Sequence, residues 1–121
     1  MTKPTLTRDA LSQFTGTENW YRHGLVRTVT YTDGAQYVAG HGGAYWLLDI
    51  IAIAQRHEKA VNAEPFQVWK LTVREKSMGT LTCEDGNGKE VYRQELEYTD
   101  FPLPEITFYF TDNVILLPGE Y

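Results

Sequence analysis

Cysteine is almost absent from this chain: Cys83 is the only one among 121 residues, so no intrachain disulfide can form. A domain of this length buries about two-thirds of its unfolded surface and needs no covalent staple. Cys83 falls in a strand pattern and precedes Glu84 and Asp85. A reactive thiol needs an electropositive, partly exposed setting, so a buried inert thiol is expected. Serine is scarce too, with only Ser12 and Ser77, and neither stands in Gly-x-Ser-x-Gly. The histidines, His23, His41 and His57, pair with no His, Cys or carboxylate at the spacing of zinc or iron sites. Neither a metal nor a cofactor is expected, and no set of nucleophile, base and orienter marks a catalytic residue.

Long apolar runs are missing too. The longest stretch, Ala44–Ala54, is broken by Asp49 and is far too short to span a bilayer. Met1–Asp9 carries Lys3 and Arg8 but no apolar core, unlike a signal peptide. A cytoplasmic protein with no membrane partner is predicted. The net charge is −5, with eleven acidic against five basic residues from Asn62 onward and five against six before it. The chain has no basic stripe, which argues against direct contact with a nucleic-acid backbone.

What is present reads as one α+β domain spanning residues 1–121, with 42% apolar and 22% charged residues. Thr7 caps a short helix that runs to Phe14. Leu25–Tyr31 alternates apolar and polar and ends in Thr32-Asp33-Gly34, a hairpin turn by composition, with Gln36–Ala39 as the returning strand. Ala44 to about Lys59 is strongly helical in period, and its apolar arc includes Trp46, Leu47, Ile50, Ile53 and His57. So wide an arc must be covered on most sides, by a sheet together with the N-terminal segment or a partner chain, and a homo-oligomer is compatible with it. From Pro65 the period changes to two. Phe66–Val73, Thr80–Glu84 and Val91–Thr99 form a meander, with Trp69, Leu71, Val73, Leu81, Cys83, Tyr92, Leu96 and Tyr98 inward. Ile106–Thr111 and Val114–Leu117 then make a last hairpin around Asp112-Asn113. The expected architecture has two layers: hairpin, long helix and meander, with an antiparallel sheet.

Two surfaces are candidate sites. Gly40-His41-Gly42-Gly43 precedes the long helix, and free amides at a helix start attract anions. It is no dinucleotide fingerprint, because Tyr45 fills the third glycine position. It is no P-loop either, since no Gly-Lys-Ser or Gly-Lys-Thr follows. Tyr45, Asp49 and Arg56 share the polar stripe of the helix, so a ligand site here takes in His41, Gly42, Gly43, Tyr45, Asp49 and Arg56. His57, on the face of Trp46 and Ile50, is expected to be partly buried and satisfied. The second surface is acidic: Glu95, Glu97, Asp100 and Glu105 could meet a basic protein partner.

Tyr31-Thr32-Asp33-Gly34-Ala35-Gln36-Tyr37-Val38-Ala39, Gly42-Gly43-Ala44-Tyr45-Trp46-Leu47-Leu48-Asp49, Phe66-Gln67-Val68-Trp69-Lys70-Leu71 and Asp112-Asn113-Val114-Ile115-Leu116-Leu117-Pro118 together carry a resemblance. With these segments the chain resembles a family of uncharacterised small bacterial proteins, often encoded on plasmids and other mobile elements. The resemblance implies bacterial origin and an accessory role in a mobile element, and it transfers no functional residue. The leading expectation is a non-catalytic interaction or inhibitor protein. The alternative is a binder of a small anion or nucleotide, or an enzyme, centred on Gly40–Asp49. A deep pocket at His41, Tyr45 and Asp49 favours the second, and a flat acidic face the first.

Overall fold

Thr7 opens the first helix as its composition predicts: its hydroxyl accepts the Ala10 N–H at 3.2 Å, capping α1 (Arg8–Leu11). The computed structural model describes residues 6–121, so the first five residues of the segment read as unlike a signal peptide lie outside it. Beyond α1 the chain forms β1 (Trp20–Arg22), β2 (Thr30–Thr32), α2 (Asp33–His41), α3 (Tyr45–His57) and α4 (Lys59–Asn62). It continues through β3 (Phe66–Val73), β4 (Gly79–Asp85), β5 (Glu90–Leu96), β6 (Glu105–Thr111) and β7 (Val114–Leu116). The result is an α+β fold on one open sheet of order β1-β2-β7-β6-β3-β4-β5. Every neighbouring pair is antiparallel except β2 and β7, which run parallel. No helix among the described residues is long and apolar enough to cross a membrane.

The C-terminal half follows its period-two pattern closely. Trp69, Leu71, Leu81, Cys83, Phe108 and Ile115 are all buried, while Lys70, Thr72, Arg93 and Glu95 on the opposite face are exposed. Asp112 and Asn113 both have positive φ, 54° and 62°, as a two-residue hairpin turn between β6 and β7 requires. Tyr98 departs from expectation: β5 stops at Leu96, and Tyr98 lies 71% exposed. Gln67 is buried at 1% exposure because its amide is fully engaged. It exchanges hydrogen bonds with Gln55 at 2.8 and 2.9 Å, accepts from the Trp69 indole at 2.9 Å and donates to the Val61 carbonyl at 2.8 Å. This network ties α3 to the middle of the sheet.

The N-terminal half differs from its sequence reading. Leu25–Val29 is not a strand, and Asp33-Gly34 does not turn a hairpin; it begins α2, which replaces the expected strand Gln36–Ala39. The Thr32 hydroxyl accepts the Ala35 N–H at 3.2 Å as the helix cap. Ala35, Val38, Ala39 and Gly42 then fall at i, i+3, i+4 and i+7 and are all buried. The opposite end of the chain completes the cap. Glu120 accepts the Thr32 hydroxyl at 2.6 Å and the Leu117 N–H at 2.9 Å on one oxygen, and the Gly34 N–H at 3.1 Å on the other. A carboxylate at a helix start is favoured by the dipole as well as by these bonds. Gly34 allows the approach, since a Cβ there would stand 2.5 Å from Glu120 Oε1.

The long helix lies where it is expected but buries a narrower arc. Leu47, Leu48, Ile51, Ala52 and Ala54 are buried, Trp46 and Ile50 half-buried, and Ile53 is exposed. His57, expected to be partly buried, is exposed at the last turn. The buried histidine is His23 instead.

Candidate functional site

Gly40-His41-Gly42-Gly43 connects two helices, not a strand to a helix, and it is the stop signal of α2. Gly42 is the C-cap, Gly43 takes φ +61°, and the Ala44 N–H bonds the Ala39 carbonyl at 2.8 Å, the Schellman arrangement. Gly42 is small for packing: a Cβ would meet the Val38 carbonyl at 2.8 Å and the Phe101 ring at 3.0 Å. Asp49 does not pair with Arg56, which is exposed; it accepts a 2.7 Å hydrogen bond from His23 Nε2. His23 Nδ1 accepts the backbone N–H groups of Leu25 and Val26 at 3.2 and 3.0 Å, so its proton resides on Nε2. This histidine organises the Leu25–Val29 loop and orients the half-exposed Asp49 carboxylate.

The other face of α2 is a different matter. Asp33, Gln36, Tyr37, Gly40 and His41 recur at i, i+3, i+4, i+7 and i+8, opposite the buried alanines, and form one wall of a cleft of about 790 Å³. Phe14, Gly16, Glu18 and Asn19, from the loop after α1, line it as well, together with Tyr45 of α3. Of the six residues expected to bind a ligand, His41 and Tyr45 line this cleft; Gly42, Gly43, Asp49 and Arg56 do not. Phe14 and Tyr37 pack at 5.1 Å between ring centroids, and His41 stacks on Tyr37 at 3.9 Å. The Tyr37 carbonyl lies 3.2 Å from His41 Nδ1, so that nitrogen is the donor.

Asp33 fastens the loop after α1 to the start of α2. Its Oδ2 accepts from the backbone N–H groups of Glu18 and Asn19 at 3.1 and 3.2 Å and shares the Thr17 hydroxyl, 3.1 Å away, with the Asn19 carbonyl at 2.7 Å. The Tyr21 hydroxyl donates to Oδ1 at 3.1 Å. Desolvation opposes ionisation of Asp33, but the bonds from Glu18, Tyr21, Thr17 and Asn19 outweigh it and hold the carboxyl below its usual range. The same bond, followed by desolvation and the charge of Asp33, raises the Tyr21 phenol. Tyr31, stacked on Tyr21 at 5.6 Å, is raised by burial and then by Tyr45 and Asp49. Phe14, Glu18, Asn19, Asp33, Gln36 and Tyr37 have no common face when Asp33-Gly34 is a hairpin turn, and share the cleft only when it starts a helix.

The acidic surface is partly neutralised. Glu95 meets Arg74 at 2.7 Å and Arg93 at 3.2 Å and also accepts the Thr80 hydroxyl at 2.9 Å; Glu105 lies 3.7 Å from Arg8. The hydrogen bond from Thr80, opposed by desolvation and joined by Arg74 and Arg93, holds Glu95 below the ordinary glutamate range. Glu97 and Asp100 are exposed and make no ion pair among the described residues. Cys83 is buried in β4, where desolvation, then Glu64 and Glu84, push its thiol up to about 12. Among the described residues no three His, Cys, Asp or Glu side chains gather into a metal-binding group.

The chain belongs to DUF6876, a family of unknown function whose model matches residues 5–121. No curated protein and no solved structure matches it.

Proposed function

We propose that the protein binds a small organic molecule in the cleft between the Phe14–Asn19 loop and α2. The carrying observation is the cleft itself: about 790 Å³, walled by the aromatic rings of Phe14, Tyr37 and Tyr45, with Asn19, Gln36 and His41 as polar groups between them. Ligand sites have this volume and combine aromatic walls with placed polar groups. The groove beside α1, near Leu11, Leu103 and Leu117, is less than half as large, at about 370 Å³.

A basic protein partner held by Glu95, Glu97, Asp100 and Glu105 is the weaker reading, because Glu95 and Glu105 already have arginine partners. An accessory role in a bacterial mobile element is compatible with a small binding protein and rests on the resemblance alone.

Gly40 provides the test. It lies within α2, and a Cβ there would meet only the Tyr45 hydroxyl, at 3.9 Å. Gly40→Phe therefore fills the cleft without disturbing the core. A fragment library screened by thermal shift should yield compounds that stabilise the wild type and leave Gly40→Phe unmoved. A ligand at a hundred times its Kd adds about 2.7 kcal/mol. If no compound separates the two proteins, the proposal fails.

A further inference from the structure

We infer that the cleft takes a small organic cation of the methylated- or quaternary-ammonium class. The inference rests on the reading of the cleft as a binding site and adds the charge and chemistry of what fills it. Two carboxylates, Glu18 and Asp33, line the cleft, and no lysine or arginine does. Neither carboxylate makes an ion pair among the described residues. The donors on Asp33 are a hydroxyl, a phenol and two backbone amides, all neutral. They fix its negative charge at the cleft wall without cancelling it, and they keep it ionised. An anionic ligand would enter against both carboxylates, so nucleotides and phosphates fit poorly.

Aromatic rings supply the second half of the recognition. Phe14 and Tyr45 line the cleft together with Tyr37, whose ring is stacked by His41 at 3.9 Å and inclined at 46° to Phe14. A cation within about 6 Å of a ring centroid is attracted by the ring's quadrupole. Hydrogen-bond capacity separates kinds of cation. Oδ2 of Asp33 already accepts the Glu18 and Asn19 N–H groups and Oδ1 the Tyr21 hydroxyl, so Asp33 has few free positions for the N–H donors of a primary ammonium or a guanidinium. A methylated ammonium needs no such bonds: its charge acts through space and its methyl groups pack on the rings. A divalent metal ion lacks the ligand set, since no group of three candidate ligands exists among the described residues.

The test is an NMR titration of the full chain with choline against 3,3-dimethyl-1-butanol, its neutral isostere, and against a carboxylate of similar size. Choline should shift the resonances of His41 and Tyr37 and bind at least about tenfold more tightly than the alcohol, about 1.4 kcal/mol. Glu18→Gln, at an exposed residue, should weaken choline about two- to fivefold and leave the alcohol unchanged. If the alcohol binds within twofold of choline, or the carboxylate binds better, the cation inference is overturned while the cleft survives as a site. If none of the three binds, and the fragment screen also fails to separate wild type from Gly40→Phe, both readings fall.

Discussion

Gly34→Ala should destabilise this protein even though alanine is the better helix former. In an ordinary helix interior the exchange gains about 0.5–1 kcal/mol. Here the new Cβ would stand 2.5 Å from Glu120 Oε1, 2.7 Å from its Cδ and 2.8 Å from Leu117 Cδ1. The Glu120 side chain is flexible and would move, but it would then release the Thr32 hydroxyl, the Gly34 N–H and the Leu117 N–H. Hydrogen bonds to a charged group contribute about 1.5–3 kcal/mol each when buried, and these are only part-buried. A total loss of about 2–4 kcal/mol therefore outweighs the propensity gain and leaves a net cost of about 1–3 kcal/mol. At about 2.1 cal/mol/K per residue of unfolding entropy, a chain of 121 residues loses about 4 °C per kcal/mol. Gly34→Ala should lower Tm by roughly 4–12 °C on that scale. The decisive comparison is the same substitution in a Glu120→Ala background, followed by urea and thermal denaturation. With the carboxylate gone, only the Leu117 contact at 2.8 Å remains, so the cost of Gly34→Ala should fall by about 2 kcal/mol, a coupling between residues 86 positions apart. An equal loss in both backgrounds, or a higher Tm for Gly34→Ala alone, would show that Glu120 does not hold the start of α2.

Other consequences follow from single groups. Asp33 has a depressed carboxyl pKa, so its contribution is present above the unfolded aspartate value of about 4 and lost as pH falls through the folded value. Denaturation curves from pH 6 to pH 2 should therefore be flatter for Asp33→Asn than for wild type, and parallel curves would remove Asp33 as a cause. Cys83, with its thiol pushed up to about 12, should resist iodoacetamide at pH 8 in the folded protein and react fully in urea; rapid alkylation without denaturant would contradict its burial. His23→Leu strands the Leu25 and Val26 amides and should cost about 1–3 kcal/mol in urea unfolding, whereas Asp49→Asn keeps an acceptor for Nε2 and should cost less than about 1 kcal/mol. Equal losses for the two would mean that Asp49, not the loop, is what His23 stabilises.

The C-terminal half was legible because each of its signals had one meaning. Alternation from Phe66 to Val73 and from Ile106 to Thr111 could only be half-buried strand, and Asp112-Asn113 fits the turn between β6 and β7. Thr32-Asp33-Gly34 carried two meanings, since Thr-Asp caps a helix as readily as Asp-Gly turns a hairpin. The deciding signal was nearby: Ala35, Val38 and Ala39 have the period of a helix, and a strand of alternating pleat cannot bury all three on one face. The contribution of Glu120 had no local signal, because it comes from the far end of the chain. The His23–Asp49 bond was hidden in the same way, by 26 residues of separation. The candidate site is the least legible part: without α2 the residues of its outer stripe share no face, and the glycine run that ends the helix is the more conspicuous local signal.

The geometry of α2 separates folding from binding, which gives the cleft a test independent of any ligand's identity. Ala35, Val38 and Ala39 are fully buried on one side of the helix, and Gln36, Tyr37, Gly40 and His41 line the cleft on the other. Substituting Gln36 by alanine therefore removes a polar group from the cleft and nothing from the core, and it should change stability by less than about 0.5 kcal/mol. Ala39→Leu forces three extra carbons into a packed interior and should cost about 1–3 kcal/mol. If α2 were only a structural strut, both substitutions would act on stability alone, and compounds that protect the wild type would protect the folded fraction of each variant equally. A binding wall predicts the opposite pairing. Gln36→Ala should keep its Tm and lose part of the ligand-induced shift, while Ala39→Leu should lose Tm and keep the shift. That crossed pattern requires the two faces of one nine-residue helix to have different tasks, as the burial along Asp33–His41 indicates.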